Sequence, residues 1–240
     1  METLQLFSVR DAMDQDVRQT LKSVAALGYG RVEFAGFYGV PPEVMRDWLA
    51  ESELSVFGSH IPCNTIEENM SAIVRYHRAI GCERITINRN QLFSHGAINA
   101  FVAQVNLLHP RLLDEGIRLG FHNHRQEFEA NTDGSIAYPH ILERTELDLQ
   151  LDVLWSCVAG NDPVAQIGAF GDRLKSVHLK DGLLDGTELP FGYGEIDLPA
   201  IVLAAKKRSI DIIAESETLN PSGLDEARIC MDYLKKLGNR

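Results

Sequence analysis

Short apolar runs alternate with longer stretches of helical period from one end of the chain to the other. Residues 4–9 form the first run. Residues 16–27 follow, with Val17, Leu21, Val24 and Leu27 three to four positions apart. The same rhythm predicts strands at 32–34, 56–60, 84–88, 118–124, 147–153, 174–180 and 211–217. Between and after them it predicts helices at 42–50, 66–80, 97–115, 138–144, 162–169, 197–208 and 224–237. Gly28, Gly81 and Gly116 close helices, Pro42 opens one, and Pro110 should kink another. Eight strand–helix alternations with no break in composition predict an α/β protein. Its parallel strands would close into one filled (β/α)8 barrel, a single domain over residues 1–240.

Bulk composition narrows the class without changing that picture. Apolar residues make up 45% and charged residues 24% of the 240, as in an ordinary globular protein. A net charge of −11 argues against a nucleic-acid partner, which needs a basic footprint. Cys63, Cys82, Cys157 and Cys230 form no C-x-x-C pair, so they read as reduced thiols, as expected in the cytoplasm. No basic stretch followed by an apolar one opens the chain, and no apolar run approaches the ~20 residues of a membrane span.

Candidate chemistry sits at the ends of the last four predicted strands. The run ending Phe121-His122-Asn123-His124 leads to Glu127; the next three lead to Asp152, His178 and Glu215. Parallel strands of a closed barrel bring their C-terminal ends to one face. Two Glu, one Asp and one His meeting there would suit a divalent Mn, Mg, Co or Zn ion. Such an ion grips two adjacent oxygens of a hydroxy-carbonyl compound and stabilises the enediolate left by proton loss. Each residue also has a structural explanation: a strand-end carboxylate caps helices, and His178 could be a satisfied core histidine.

Seven segments carry a resemblance to a known family. They are Leu-Phe-Ser-Val-Arg-Asp (6–11), Gly-Tyr-Gly-Arg-Val-Glu-Phe-Ala-Gly (28–36), Phe-His-Asn-His-Arg-Gln-Glu-Phe (121–128), Leu-Asp-Val-Leu-Trp (151–155), Val-His-Leu-Lys-Asp (177–181), Gly-Tyr-Gly-Glu-Ile-Asp (192–197) and Ile-Ala-Glu-Ser-Glu (213–217). In this order they resemble the sugar phosphate isomerase/epimerase family of xylose isomerase-like TIM barrels, in its His-Asn-His-x-x-Glu branch. The resemblance implies a metal held by Glu127, Asp152, His178 and Glu215. Many members carry Glu at the strand position of His122, so the fifth-strand ligand is either His122 or Glu127. It also implies a catalytic set of Glu127, Glu215, His122 and His124, a sugar or keto-sugar substrate, and self-association.

Arg10, His60, Trp155 and Lys180 are candidate substrate contacts, each with a structural alternative: loop anchor, core histidine, rim aromatic and solvated turn lysine. Glu33 is expected to orient a ligand or pair within the barrel, Glu217 to support the site or remain a loop charge, and Gly192-Tyr193-Gly194 to form a turn over the mouth. The expected activity is metal-dependent isomerisation or epimerisation of a sugar or sugar phosphate by proton abstraction next to a carbonyl. β-Elimination from an inosose or 3-keto sugar, by a dehydratase or lyase, is the alternative. Phosphodiester hydrolysis and a non-catalytic binding barrel are the rivals.

Overall fold

The computed structural model of this protein describes residues 2–88 and 91–238. Its frame is eight parallel strands: β1 (Thr3–Gln5), β2 (Arg31–Phe34), β3 (Ser55–His60), β4 (Arg84–Ile87), β5 (Arg118–His122), β6 (Asp148–Asp152), β7 (Leu174–Leu179) and β8 (Asp211–Ala214). Each strand pairs with its sequence neighbours, and β1 pairs with β8 to close the barrel. Closure leaves no exposed sheet edge. Local chemistry sets the helix limits. Asp16, Ser94 and Asp197 accept the backbone N–H three residues on and so cap helix starts. Gly28 and Gly81 end helices at φ of 109° and 66°, where a Cβ would be strained.

The apolar core lies mainly between the strands and the helical ring, with Leu4, Val32, Ile85, Leu119, Leu151 and Val177 fully buried. The opposite faces of the same strands point into the barrel and carry polar groups: Gln5, Glu33, His60, His122, Gln150, Ser176 and His178 are all buried. Two register shifts, at Val32/Glu33 and Leu149/Gln150, fall beside two of these inward residues. A bulge re-aims the side chain next to it.

Four local expectations change. The first strand stops at Gln5 because that side chain accepts from Phe7 N and turns Leu6–Val9 into a 3-10 helix. The helix His95–Asp114 runs on through Pro110, while the departure from helical dihedrals falls at Asn69 in the helix Cys63–Ile80. A short helix, Val153–Val158, follows β6 directly. An antiparallel hairpin, Asp181–Gly182 against Glu188–Leu189, follows β7. Among the described residues, no helix is long and apolar enough to cross a membrane.

Candidate active site

The C-terminal mouth of the barrel holds a pocket of about 270 Å³ lined by residues including Gln5, His60, Asn88, His122, His124 and Glu215. Beneath it, side chains from six strands form one hydrogen-bonded network. Glu33 is its hub: Oε2 accepts from Gln5 (2.8 Å) and His178 Nε2 (2.6 Å), and Oε1 accepts from Gln150 Nε2 (2.9 Å). Burial pushes the Glu33 carboxyl up, but the facing His60 and His178 outweigh it and hold it well below the usual carboxylate range.

Gln150 fixes two imidazoles. Its Oε1 accepts from His60 Nε2 at 2.8 Å and from His122 Nδ1 at 3.0 Å. An amide oxygen only accepts, so both of those ring nitrogens carry hydrogen. His60 Nδ1 then accepts from Asn88 Nδ2 at 3.0 Å. His122 Nε2 keeps its lone pair and faces Asp152 Oδ2 at 3.8 Å. Burial first, then the neighbouring His178, His124, His60 and Lys180, push His122 well below its ordinary pKa, so it is neutral.

Asp152, His178 and Glu215 present ligand atoms within 4.8 Å of one another, as do His60, His122 and His178. His178 Nδ1 lies 2.8 Å from Glu215 Oε2. Burial opposes charge on His178, but Glu215 and Glu33 outweigh it and raise its pKa to about 10. Burial raises Glu215, yet Lys180 and His178 bring it well below the usual range. Asp152 divides its oxygens: Oδ1 accepts from Trp155 N (3.0 Å) and caps the helix Val153–Val158, while Oδ2 is buried without a hydrogen-bond partner. Burial raises Asp152 to about 7. An orphaned buried carboxylate oxygen is costly unless a ligand completes it. This oxygen, with the carboxylate and imidazole donors beside it and no thiolate, fits a hard or borderline divalent ion.

The other candidates separate. Glu127 is buried in the turn after β5, and both oxygens are committed, to His124 N (2.8 Å) and Gln126 Nε2 (3.1 Å); burial raises its pKa to about 7. His124 lines the pocket with its Nδ1 buried and without a hydrogen-bond partner, and burial holds the ring down at about 4. Arg10 spends its guanidinium on Phe7 O and Glu217 O, both at 2.8 Å, and so ties two loops together. Lys180 is buried among carboxylates, 5.6 Å from the Trp155 ring. Glu217 meets Lys180 directly, and Gly192 N and Gly194 N donate to Asp181, which pins the predicted turn. Gln5, Gln150 and Asn88 belong to the network, and sequence patterning alone does not pick them out. The available signal is an amide at alternate positions of apolar strands, two residues from Asp152 in the case of Gln150.

No curated protein matches the sequence. Among solved structures, the chain is similar to a sugar phosphate isomerase/epimerase from Parabacteroides distasonis, with TM-score 0.79, 20% identity, and 98% of this chain and 93% of that one covered. It is also similar to a probable 3-DHS dehydratase from Bacillus anthracis, with TM-score 0.78, 14% identity and 98% of each chain covered. A D-allulose 3-epimerase from Methylomonas sp. in complex with D-allulose gives TM-score 0.75 and 17% identity, covering 98% of this chain and 96% of that one. At these identities the likeness establishes the fold. The family model of the xylose isomerase-like TIM barrel matches residues 63–237, and the chain belongs to that family.

Proposed function

We propose that this protein is a divalent-metal-dependent enzyme that moves a proton next to the carbonyl of a sugar or keto-sugar, as an isomerase or epimerase. Asp152, His178 and Glu215 would hold the ion, with His178 releasing its Nδ1 proton and the hydrogen bond to Glu215 as the ion binds while Nε2–H stays on Glu33. The fifth-strand contribution falls to His122, whose Nε2 lone pair is free, rather than to Glu127, whose oxygens cap its own turn. The observation that carries this reading is Asp152 Oδ2, buried, unpartnered and beside two more ligands. A bound divalent ion supplies a Lewis acid that polarises the substrate carbonyl.

The protein groups supply the rest. The uncharged His124 ring, which lines the pocket, accepts the proton from the carbon next to the carbonyl. Return to the other face of that carbon gives epimerisation, and return to the neighbouring carbon gives isomerisation. Glu33 and Gln150 act on substrate only through the rings of His178, His60 and His122, fixing their tautomers.

β-Elimination is a second reading, favoured by one observation. His122 and His124 lie with ring centroids 5.0 Å apart, so two proton carriers share one wall. The ring that takes the α-proton becomes an imidazolium and can hand that same proton to the departing hydroxyl. Incubating the manganese-loaded protein with a panel of keto-sugars in heavy water tests both readings. Deuterium should enter the carbon next to the carbonyl, with loss of a β-substituent only in elimination. No exchange above background across the panel would leave a non-catalytic binding barrel.

A further inference from the structure

Lys180 is 2% exposed, and its ammonium is surrounded by carboxylates. Glu217 Oε1 is in direct contact and Glu188 Oε1 lies at 3.3 Å; Glu215 Oε2 and Asp152 Oδ2 stand further off, at 3.6 and 3.9 Å. The near pair lies outside the ligand set and the far pair inside it. We propose that Glu188 and Glu217 are positioning residues that cradle the Lys180 ammonium and hold it off Asp152 and Glu215, so that these two carboxylates stay available to a divalent cation. This inference rests on the metal reading above.

Two cations competing for the same oxygens repel each other strongly at low dielectric. A buried ammonium cannot retreat to water, so without the cradle it must take the nearest uncommitted acceptor. Asp152 Oδ2, which has no hydrogen-bond partner and already faces the ammonium at 3.9 Å, is that acceptor. Lys180 would then sit where the ion belongs. The cradle is built on anchored segments. Asp181 Oδ2 accepts from Gly192 N (2.7 Å) and Gly194 N (3.1 Å), fastening the hairpin that carries Glu188. Glycine is required at 194 because a Cβ there would stand 2.1 Å from Asp181 Oδ1. On the other side, the buried Glu226 carboxylate accepts from Ser216 Oγ at 2.7 Å, Asn220 N at 2.9 Å and Thr218 Oγ1. With Arg10 on the Glu217 carbonyl, that fixes the loop carrying Glu217.

The test is a cycle of manganese affinities measured by calorimetry on wild type, K180M, E188Q/E217Q and the triple variant. Losing two nearby acids weakens cation binding by simple electrostatics, so the decisive quantity is the coupling. K180M should tighten manganese binding at least ~fivefold more in the E188Q/E217Q background than in wild type, a coupling of the size seen between contacting residues. Equal effects of K180M in both backgrounds, within about twofold, would overturn the cradle while leaving the metal site standing. A wild-type protein that binds no manganese would instead remove the reading beneath it. Should E188Q/E217Q fail to fold by circular dichroism, the cycle built on E217Q alone reads the same coupling, with the same result supporting the cradle and the same result overturning it.

Discussion

Replacing Glu33 by glutamine removes one charge and changes one oxygen to an NH2, with almost no change of shape. Glu33 is fully buried and receives Gln5 Nε2 at 2.8 Å, His178 Nε2 at 2.6 Å and Gln150 Nε2 at 2.9 Å, with His60 Nε2 at 3.2 Å. All four face it as donors. A glutamine in their midst must turn its own N–H groups toward at least one of them, and each buried donor left unmet costs about 1–3 kcal/mol. Breaking a buried ion pair costs roughly 3–5 kcal/mol. His178 keeps Glu215 at 2.8 Å on its other nitrogen, which places the expected total at the lower end. Glu33→Gln should therefore lose about 3 kcal/mol, which at about 2–4 °C per kcal/mol lowers Tm by roughly 6–12 °C in a chain of this size. Urea unfolding at neutral pH, checked by calorimetry, measures it. A loss below about 1 kcal/mol would show that the hub is not holding the barrel interior as described.

Three further outcomes follow from separate parts of the molecule. His122→Ala should weaken manganese binding by ~10-fold or more, while Glu127→Gln changes it less than about threefold; the reverse order would return the fifth-strand role to Glu127. His77 is buried with Nδ1–H donating to Ile73 O and Nε2 accepting from the Ser59 hydroxyl, both at 2.8 Å, and burial lowers its pKa below the ordinary 6.5. The unfolded chain then binds the extra proton, so this contribution is present above 6.5 and lost as pH falls; wild type should lose more stability than His77→Gln between about pH 7.5 and about pH 5.5, and equal losses would refute it. Gly194→Ala should cost roughly 1–3 kcal/mol by overpacking against Asp181. It should also shift Trp155 emission, since the hairpin turn at Gly186 lies against that ring, which a Cβ added there would meet at 3.5 Å; an unchanged spectrum and melt would contradict the packing.

The barrel was legible because most of its strands place apolar residues at alternate positions, set off by caps and glycines that act locally. What escaped was short or ambiguous. The two-residue strands at Asp181–Gly182 and Glu188–Leu189 are too brief to carry a period. Val153–Val158 is apolar enough to pass for the end of β6. Leu6–Val9 looks like strand until the Gln5 amide is seen to turn it. At the site, Asp152, His178 and Glu215 stood out because each ends such a run, and the structure brings them together. Gln5 and Gln150 were hidden because an isolated amide in a strand has no chemistry of its own; its meaning lies in what faces it across the barrel. Asp152 carries a structural role and a ligand role at once. One oxygen is the helix cap and the other is the unpartnered donor, so both apply to one side chain.

The most direct measurement is a manganese titration followed by dialysis and elemental analysis, on wild type and on Asp152→Ala. Wild type should retain one ion per chain and the variant none, with both proteins folded. A wild type that retains no ion, or an alanine variant that holds it equally tightly, would contradict the claim that the barrel mouth is built around a divalent cation.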